Sequence, residues 1–452
     1  MSFSKDFTWG VATAAYQIEG AASEDGRGLS VWDVFSKTPG KVVDMDNGDI
    51  ACNHYNRYKE DIAIMKSMGV KAYRFSISWP RVMPNGINEI NTKGLDFYDK
   101  LVDELIANGI EPYVTLFHWD FPHELYKKGG WLNKECTDWF SEYTKVVVDR
   151  LSDRVKYWFT QNEPQCYIGL GHADGMHAPG LKLPWKEALI AGHNSMLAHG
   201  KSVMTIRAYA KQKPFVAYAP CGSVAVPKSN SPEDIEAARL DMFYPSQKSL
   251  HTISMLVDPV VLGEYPEGAY EVFGKDLPEM TPEDRSIMCQ PLDFLGMNNY
   301  SGHVVYMGSD GKPVNEPKKP GRPQTSMGWD IIPEAIYWGA KMMCERYKLP
   351  LVIAENGMAN NDWVSKDGKV YDYQRIDYVS NYLSNLKKLA SEGVDIRGYF
   401  HWSFMDNFEW SLGYSKRFGL VHVDYETGKR TVKKSGEWYK KVIESNGEDL
   451  SL

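Results

Sequence analysis

The sequence predicts a single (β/α)8 barrel that spans residues 1–452. Eight segments rich in β-branched and aromatic residues alternate with segments of helical periodicity, a pattern typical of parallel sheets covered by helices. No linker-like, low-complexity or repeated stretch divides the chain. Polar residues stand at the ends of the predicted strands, where such barrels place their sites. A doubly wound sheet is the alternative fold, but no glycine-rich phosphate turn follows the first strand.

The predicted strands are mostly continuous apolar runs, as expected for strands buried on both faces. Pro80 stops the second one, since proline cannot continue the hydrogen-bonded ladder. In chain order the strands are predicted at residues 7–17, 71–79, 110–120, 157–163, 214–218, 292–300, 351–355 and 396–402.

Apolar residues three and four positions apart predict the helices between these strands. In the first helix Tyr55, Tyr58, Ile62 and Met65 share one face, and Gly69 ends it. A loop rich in proline and glycine is predicted at 308–328. The helices are predicted at 55–68, 95–108, 138–151, 185–210, 333–347, 373–392 and 435–444, with less regular helical segments at 233–256 and 281–289.

Composition excludes several classes of partner. The chain has 43% hydrophobic residues, a net charge of -8 and no stripe of Lys and Arg, so we expect neither nucleic acid nor an anionic membrane as a partner. No window approaches the ~18 apolar residues of a membrane span. The first residues lack a charged start followed by an apolar run, so we expect no signal peptide. Six scattered cysteines allow disulfides, but reduced thiols in a cytoplasmic protein are favoured.

Two glutamates interrupt the apolar runs at the carboxyl ends of predicted strands. Glu163 and Glu355 each follow a β-branched and aromatic run, and a breaker comes directly afterwards. A carboxylate at the mouth of a buried strand is costly unless it is paired. Two of them on different strands therefore indicate carboxyls that face each other across a pocket. Paired carboxyls are what hydrolysis of a glycosidic bond requires.

Two other clusters are spaced only loosely like metal sites. Asp44, Asp46 and Asp49 suggest a calcium loop, but the glycine falls one position early for an EF-hand and no closing glutamate follows. We therefore predict a solvated turn. His172 and His177 are five positions apart, and we predict a hydrogen-bonded loop there, with no metal and no cofactor.

Seven separated motifs resemble those of glycoside hydrolase family 1, and the resemblance extends along essentially the whole chain. Each motif alone is weak, but all of them in the family order are very specific. The motifs occupy residues 7–20, 73–79, 118–120, 162–164, 177–180, 355–357 and 406–410. The resemblance implies a retaining β-glucosidase built on a (β/α)8 barrel.

The resemblance also implies the role of each site residue. Glu163 would be the general acid/base and must be protonated near neutral pH, whereas Glu355 would be the nucleophile and must be ionised. Arg74 and Tyr300 match the positions that support the nucleophile. Trp329, together with the 308–328 loop, would form part of the aglycone entrance. The implied substrate-binding residues are Gln17, His118, Asn162, Asn298, Trp402, Glu409, Trp410 and Trp329.

Three positions depart from the family pattern without removing a catalytic group. Gln165 stands where the family often has tryptophan, Asn299 replaces the first of two tyrosines, and Ala354 stands where threonine is common. We expect Gln165 to make the leaving-group side more polar, which would favour transfer to sugar acceptors.

These observations predict a retaining exo-β-glucosidase that releases glucose from cellobiose, short cello-oligosaccharides and aryl β-glucosides. Galactosides and fucosides are expected side substrates, because Gln17 and Glu409 can rearrange their hydrogen bonds. A phospho-glycosidase is disfavoured because Glu409 would repel a 6-phosphate. The alternative from another class is a sugar-binding or signalling barrel that has lost catalysis. The expected partner is a small-molecule β-glucoside, and the sequence leaves the oligomeric state open.

Overall fold

Eight parallel strands close into a barrel in the computed structural model, which describes residues 3–452. Each strand pairs with the next along the chain, and the eighth pairs with the first. The predicted (β/α)8 barrel is confirmed. The strands are β1 (Thr8–Ala12), β2 (Ala72–Ser76), β3 (Glu111–Phe117), β4 (Tyr157–Asn162), β5 (Phe215–Ala219), β6 (Phe294–Asn298), β7 (Leu351–Asn356) and β8 (Ile396–Trp402).

Helices connect the strands, and most of them bury one face. In helix Thr92–Ala107 the buried face includes Leu95, Leu101 and Leu105, and Gly109 with φ of +73° follows its end, as is common at helix C-termini. The other long helices are His54–Ser67, Cys136–Leu151, Trp185–Tyr209, Pro232–Phe243, Ser254–Val261, Glu267–Phe273, Pro282–Met288, Glu334–Tyr347, Tyr373–Ser391 and Lys434–Glu444; short ones are Ala15–Ile18, Val31–Ser36, Trp79–Val82 and His123–Tyr126.

Several of the predicted strands are shorter than expected, and the first three differ most at their carboxyl ends. The first was expected to reach Gln17, but β1 ends at Ala12 and Gln17 lies in helix Ala15–Ile18. β2 and β3 likewise end three residues before their predicted limits. The segments above the barrel are themselves buried, as Ile77 and Trp79 show. An apolar run therefore continues beyond the strand and does not mark its end.

Two small sheets and a wide helical turn were not predicted. Ala225–Pro227, His303–Met307 and Pro313–Asn315 form a three-stranded sheet, part of which lies in the predicted 308–328 loop. Val421–Val423 and Arg430–Val432 form an antiparallel pair. A π-helical segment, Gln165–Ala173, follows β4. No helix within residues 3–452 has the length and apolarity needed to cross a membrane.

A buried ion network fixes the segment that follows β8. The ammonium of Lys433 contacts Asp362 and Asp406 at 2.6 Å each, and all three side chains are at most 1% exposed. Arg375 contacts Asp362 at 2.6 Å, and Arg417 contacts Asp406 at 2.7 Å. Each buried carboxylate thus has a cationic partner, which is the condition under which burying it is tolerated.

We predict that Lys433→Met is strongly destabilising, because it leaves two buried carboxylates without their shared cation. The expected loss is about 3–5 kcal/mol in the free energy of unfolding, measured by urea denaturation with tryptophan fluorescence. The matched control is Lys434→Met, whose partner Glu437 is exposed, and its loss is at most about 1 kcal/mol. Similar losses in the two variants would show that the buried network does not stabilise the fold.

Candidate active site

A cavity of about 560 Å³ opens at the carboxyl ends of the barrel strands, the face on which such barrels carry their sites. Its volume is in the range that suits a small molecule. Most of the residues singled out by the sequence line it, namely His118, Glu163, Asn298, Tyr300, Trp329, Glu355, Trp402, Glu409 and Trp410. Arg74, Asn162 and Gln17 lie directly behind this wall, each at most 1% exposed.

Glu163 follows β4 in a strained backbone conformation, with φ of +46°. A positive φ is uncommon for residues other than glycine, and it persists only where the surroundings impose it. The amide of Glu163 donates to the Ala219 carbonyl at 2.8 Å, which ties it to β5. Its Oε1 accepts a hydrogen bond from Asn298 Nδ2 at 2.8 Å. Contacts with β5 and β6 therefore fix the direction of the Glu163 carboxyl.

Glu355 lies within β7 and has a strong donor on each carboxylate oxygen. Arg74 Nη1 contacts Oε1 at 2.7 Å, and the Tyr300 hydroxyl donates to Oε2 at 2.6 Å. Charge-assisted hydrogen bonds of this kind favour the ionised carboxyl. The arrangement holds Glu355 as a carboxylate.

The two glutamates share a site but differ in which protonation state their surroundings favour. Burial raises the pKa of Glu163 to about 7, and the charge of Glu355 adds to the rise. Burial also raises the pKa of Glu355, but Arg74 and Tyr300 oppose that rise. Of the pair, Glu355 therefore loses its proton first, and its charge then keeps the proton on Glu163. Carboxyls with separated roles are typical of acid/base chemistry.

Asn162 links the arginine to the histidine of the cavity wall. Its Oδ1 accepts from Arg74 Nη2 at 2.5 Å and from Asn298 Nδ2 at 3.0 Å. Its Nδ2 must then donate to His118 Nε2, 3.1 Å away. Burial and the charge of Arg74 lower the pKa of His118, so the ring is neutral and carries its proton on Nδ1. That Nδ1 is buried without a partner among residues 3–452.

Gln17 and Glu409 form a second polar corner. Gln17 Nε2 donates to the Phe408 carbonyl at 2.7 Å, to Asn407 Oδ1 at 3.0 Å and to Glu409 Oε2 at 3.5 Å. Its Oε1 is buried and has no partner in the described part of the chain. Burial raises the pKa of Glu409 to about 8, and the charges of Glu355 and Glu163 add to the rise. This corner therefore presents the side-chain oxygen of Gln17 as an acceptor and, in Glu409, a carboxyl that exchanges its proton near neutral pH.

Aromatic rings form the remaining walls. Trp402 stacks near the His118 ring, with centroids 5.7 Å apart. Trp410 packs on Trp119 at 4.4 Å, and both have positive φ. Trp329 packs beside Tyr300 at 5.4 Å. Flat apolar faces beside polar corners suit a sugar ring, which has an apolar face and polar edges.

The expectation for Gln165 is wrong. Its side chain is buried and is not among the described residues that line the cavity. Its Oε1 accepts from the Cys221 amide at 3.3 Å. The π-helical turn after β4 directs it into the protein, so it does not make the leaving-group side more polar.

Cys166 and Cys221 line the cavity, although the sequence analysis did not single them out. Cys166 stands three positions after Glu163, a spacing that places side chains together when a helical turn follows. Cys221 carries no comparable signal, because only the folding of the loop after β5 brings it to the cavity.

Comparison with known proteins indicates the same family as the sequence motifs, and it does so along the whole chain. The sequence model described as Glycosyl hydrolase family 1 matches residues 1–448. The chain is 46% identical to "Beta-glucosidase A" of Thermotoga maritima over 454 residues, covering 98% of both chains. It is 40% identical to "Aryl-phospho-beta-D-glucosidase BglC" of Bacillus subtilis over 484 residues, covering 99% of this chain and 98% of that one. A solved structure of a Thermotoga maritima β-glucosidase with glucoimidazole has a TM-score of 0.91 at 46% identity and 99% coverage of both chains.

Proposed function

The chain belongs to glycosyl hydrolase family 1, and from this we propose how its residues act and on which substrates. It is a retaining β-glucosidase. We propose that it removes terminal glucose from cellobiose, short cello-oligosaccharides and aryl β-glucosides. Glu355 is the nucleophile and Glu163 the general acid/base. The observation that carries this proposal is the contrast between a doubly bonded, arginine-paired Glu355 and a Glu163 whose pKa is raised to about 7.

The reaction proceeds by two displacements at the anomeric carbon. Glu355 attacks that carbon while Glu163 gives its proton to the leaving oxygen, and a covalent glucosyl-enzyme forms. The bond to the sugar removes the negative charge from Glu355, which is one of the two causes that raise the pKa of Glu163. Glu163 therefore becomes a stronger acid once the leaving group has departed, and it remains as the carboxylate that accepts a proton from water. Water then releases glucose with the β-configuration retained.

The sugar is held from two sides in this proposal. His118 Nδ1 and Gln17 Oε1, which have no partners among residues 3–452, bind hydroxyls together with Glu409. Asn298 Nδ2 donates to both Glu163 and Asn162, and the two amides together position the hydroxyl nearest the reacting carbon. Trp402 supports the ring, Trp410 flanks the distal hydroxyls, and Trp329 lies at the entrance for the aglycone.

One barrel domain carries the whole reaction in this proposal. The last helix returns to the first strand, where the Tyr439 hydroxyl donates to the Gly10 carbonyl at 2.8 Å. Trp9 Nε1 donates to Asn446 Oδ1 at 2.9 Å. Both ends of the chain are thus part of one packed unit.

A phospho-glucosidase is the second candidate, since the Bacillus subtilis relative is named for a phosphorylated substrate. The cavity does not favour it. Glu163, Glu355 and Glu409 line the cavity, whereas no Lys or Arg is among the described residues that do. A phosphate would meet carboxyls and no free cation.

We predict that, above about pH 8, where Glu409 is ionised, p-nitrophenyl β-glucoside is preferred over its 6-phosphate by at least about 100-fold in kcat/KM, because like charges at close range repel by several kcal/mol. Glu409→Ser is expected to narrow this ratio by lowering the rate with the neutral sugar and relieving the repulsion. A wild-type enzyme that prefers the 6-phosphate would establish the second candidate.

We predict that Glu355→Gly abolishes hydrolysis of p-nitrophenyl β-glucoside and that azide restores turnover. Azide fits the vacated space and attacks from the nucleophile's side, so the product is the α-glucosyl azide, which NMR identifies. The control is Glu279→Gly, an exposed loop glutamate, which keeps wild-type activity. Full activity of Glu355→Gly without azide would refute the assignment of the nucleophile.

We predict that kcat/KM for p-nitrophenyl β-glucoside falls as the pH rises through about 7, because Glu163, whose pKa is about 7, then loses the proton that the leaving oxygen needs. A 2,4-dinitrophenyl leaving group needs little protonation, so its alkaline limb should be much shallower. Glu163→Gln should cost about 10²–10⁴-fold with the p-nitrophenyl substrate and far less with the dinitrophenyl one. Equal alkaline limbs for the two substrates would contradict the role of Glu163.

A further inference from the structure

Two thiols lie beside Glu163 in the cavity wall. Cys166 belongs to the segment Gln165–Ala173, and Cys221 follows β5. Their Sγ atoms are 3.7 Å apart. One carboxylate oxygen of Glu163 and the two sulfurs all lie within 4.8 Å of one another. Both cysteines line the cavity, so a small solute reaches them from the same side as the substrate.

Two hydrogen bonds to the backbone hold these three groups in place. The Glu163 amide donates to the Ala219 carbonyl at 2.8 Å, which joins the end of β4 to the end of β5. Two residues further on, Gln165 Oε1 accepts from the Cys221 amide at 3.3 Å. The chain before and after the catalytic carboxyl is therefore tied to the loop that carries Cys221.

We propose that Glu163, Cys166 and Cys221 form a binding site for a thiophilic divalent cation, Zn²⁺ above all, with the fourth position open to the cavity. Two sulfurs and one carboxylate oxygen with one open position match the ligands and the coordination number of zinc. Thiolates select against Mg²⁺ and Ca²⁺, which take oxygen ligands. Binding displaces one proton from each thiol and, where Glu163 is protonated, one from its carboxyl, and these protons pass to the solvent.

Occupation of this site inhibits hydrolysis, an inference that rests on the proposed role of Glu163. The oxygen that binds the cation is withdrawn from proton transfer, since a metal-bound carboxylate cannot also carry the proton for the leaving oxygen. The inhibition is reversible, because a chelator removes the cation without a covalent change in the protein.

Cobalt provides a test of the site that does not depend on activity. Co²⁺ takes the place of Zn²⁺, and thiolate ligation gives a charge-transfer absorption band in the near ultraviolet. With the thiols kept reduced by a phosphine, we expect the band in the wild type and in the control Cys289→Ser/Cys344→Ser, which removes two thiols elsewhere. It should be absent from Cys166→Ser/Cys221→Ser. A band that persists in that variant, or no band in the wild type, would overturn the proposal.

A second pair of measurements separates the site from its effect. Glu163→Gln keeps both thiols, so the cobalt band should remain, with affinity lower by on the order of 10-fold or more. Zn²⁺ should inhibit the wild type, and EDTA should restore its activity. Mg²⁺ should not inhibit. In Cys166→Ser/Cys221→Ser, measured against its own metal-free rate, half-inhibition should need about 100-fold more Zn²⁺. A cobalt band without zinc inhibition would uphold binding by the two thiols and refute the participation of Glu163 in the site.

Discussion

The buried ion pair between Arg74 and Glu355 is the interaction on which the rest of the site depends. Arg74 is 1% exposed, and its guanidinium is committed to Glu355 at 2.7 Å and to Asn162 at 2.5 Å. Separating a buried pair leaves an uncompensated charge at a cost of several kcal/mol. β2 and β7, three positions apart around the barrel, must therefore keep their registers. A slip by one residue would turn Arg74 away from its partner, so the strand registers of the barrel and the ionisation of Glu355 are linked through this pair.

A second set of buried ions fixes the corner of the cavity that is formed by Gln17 and Glu409. Lys433 and Arg417 hold Asp406, and Asn407 and Glu409 directly beyond it receive the amide of Gln17. The helix that carries Gln17 is thus matched to a segment nearly 400 positions later in the chain. Glu409 thus follows a residue, Asp406, that is held by charges outside the cavity.

Much of the fold and the main chemistry could be predicted from the sequence, because both depend on local signals. Apolar runs predict strands, and a carboxylate that ends such a run, as Glu163 and Glu355 do, marks the strand mouth. The direction of a side chain after the strand is not a local property. The π-helical turn that follows β4 buries Gln165 and exposes Cys166 to the cavity, and apolar spacing carries no signal for a turn of this kind. The proximity of Cys221 to Cys166 likewise depends on contacts between two loops.

Three carboxyls around one small cavity, with their nearest arginine already neutralised, also determine what kind of occupant the cavity favours. Burial raises the pKa of Glu163 and of Glu409, and the charge of Glu355 adds to both rises, which corresponds to a negative electrostatic potential at both positions in the cavity. A neutral sugar gains little from that potential. An occupant that acquires positive charge at the ring, as a glucosyl group does when its character becomes oxocarbenium-like, is stabilised in proportion to that charge. The repulsion between the carboxyls is thereby relieved as the positive charge on the ring develops.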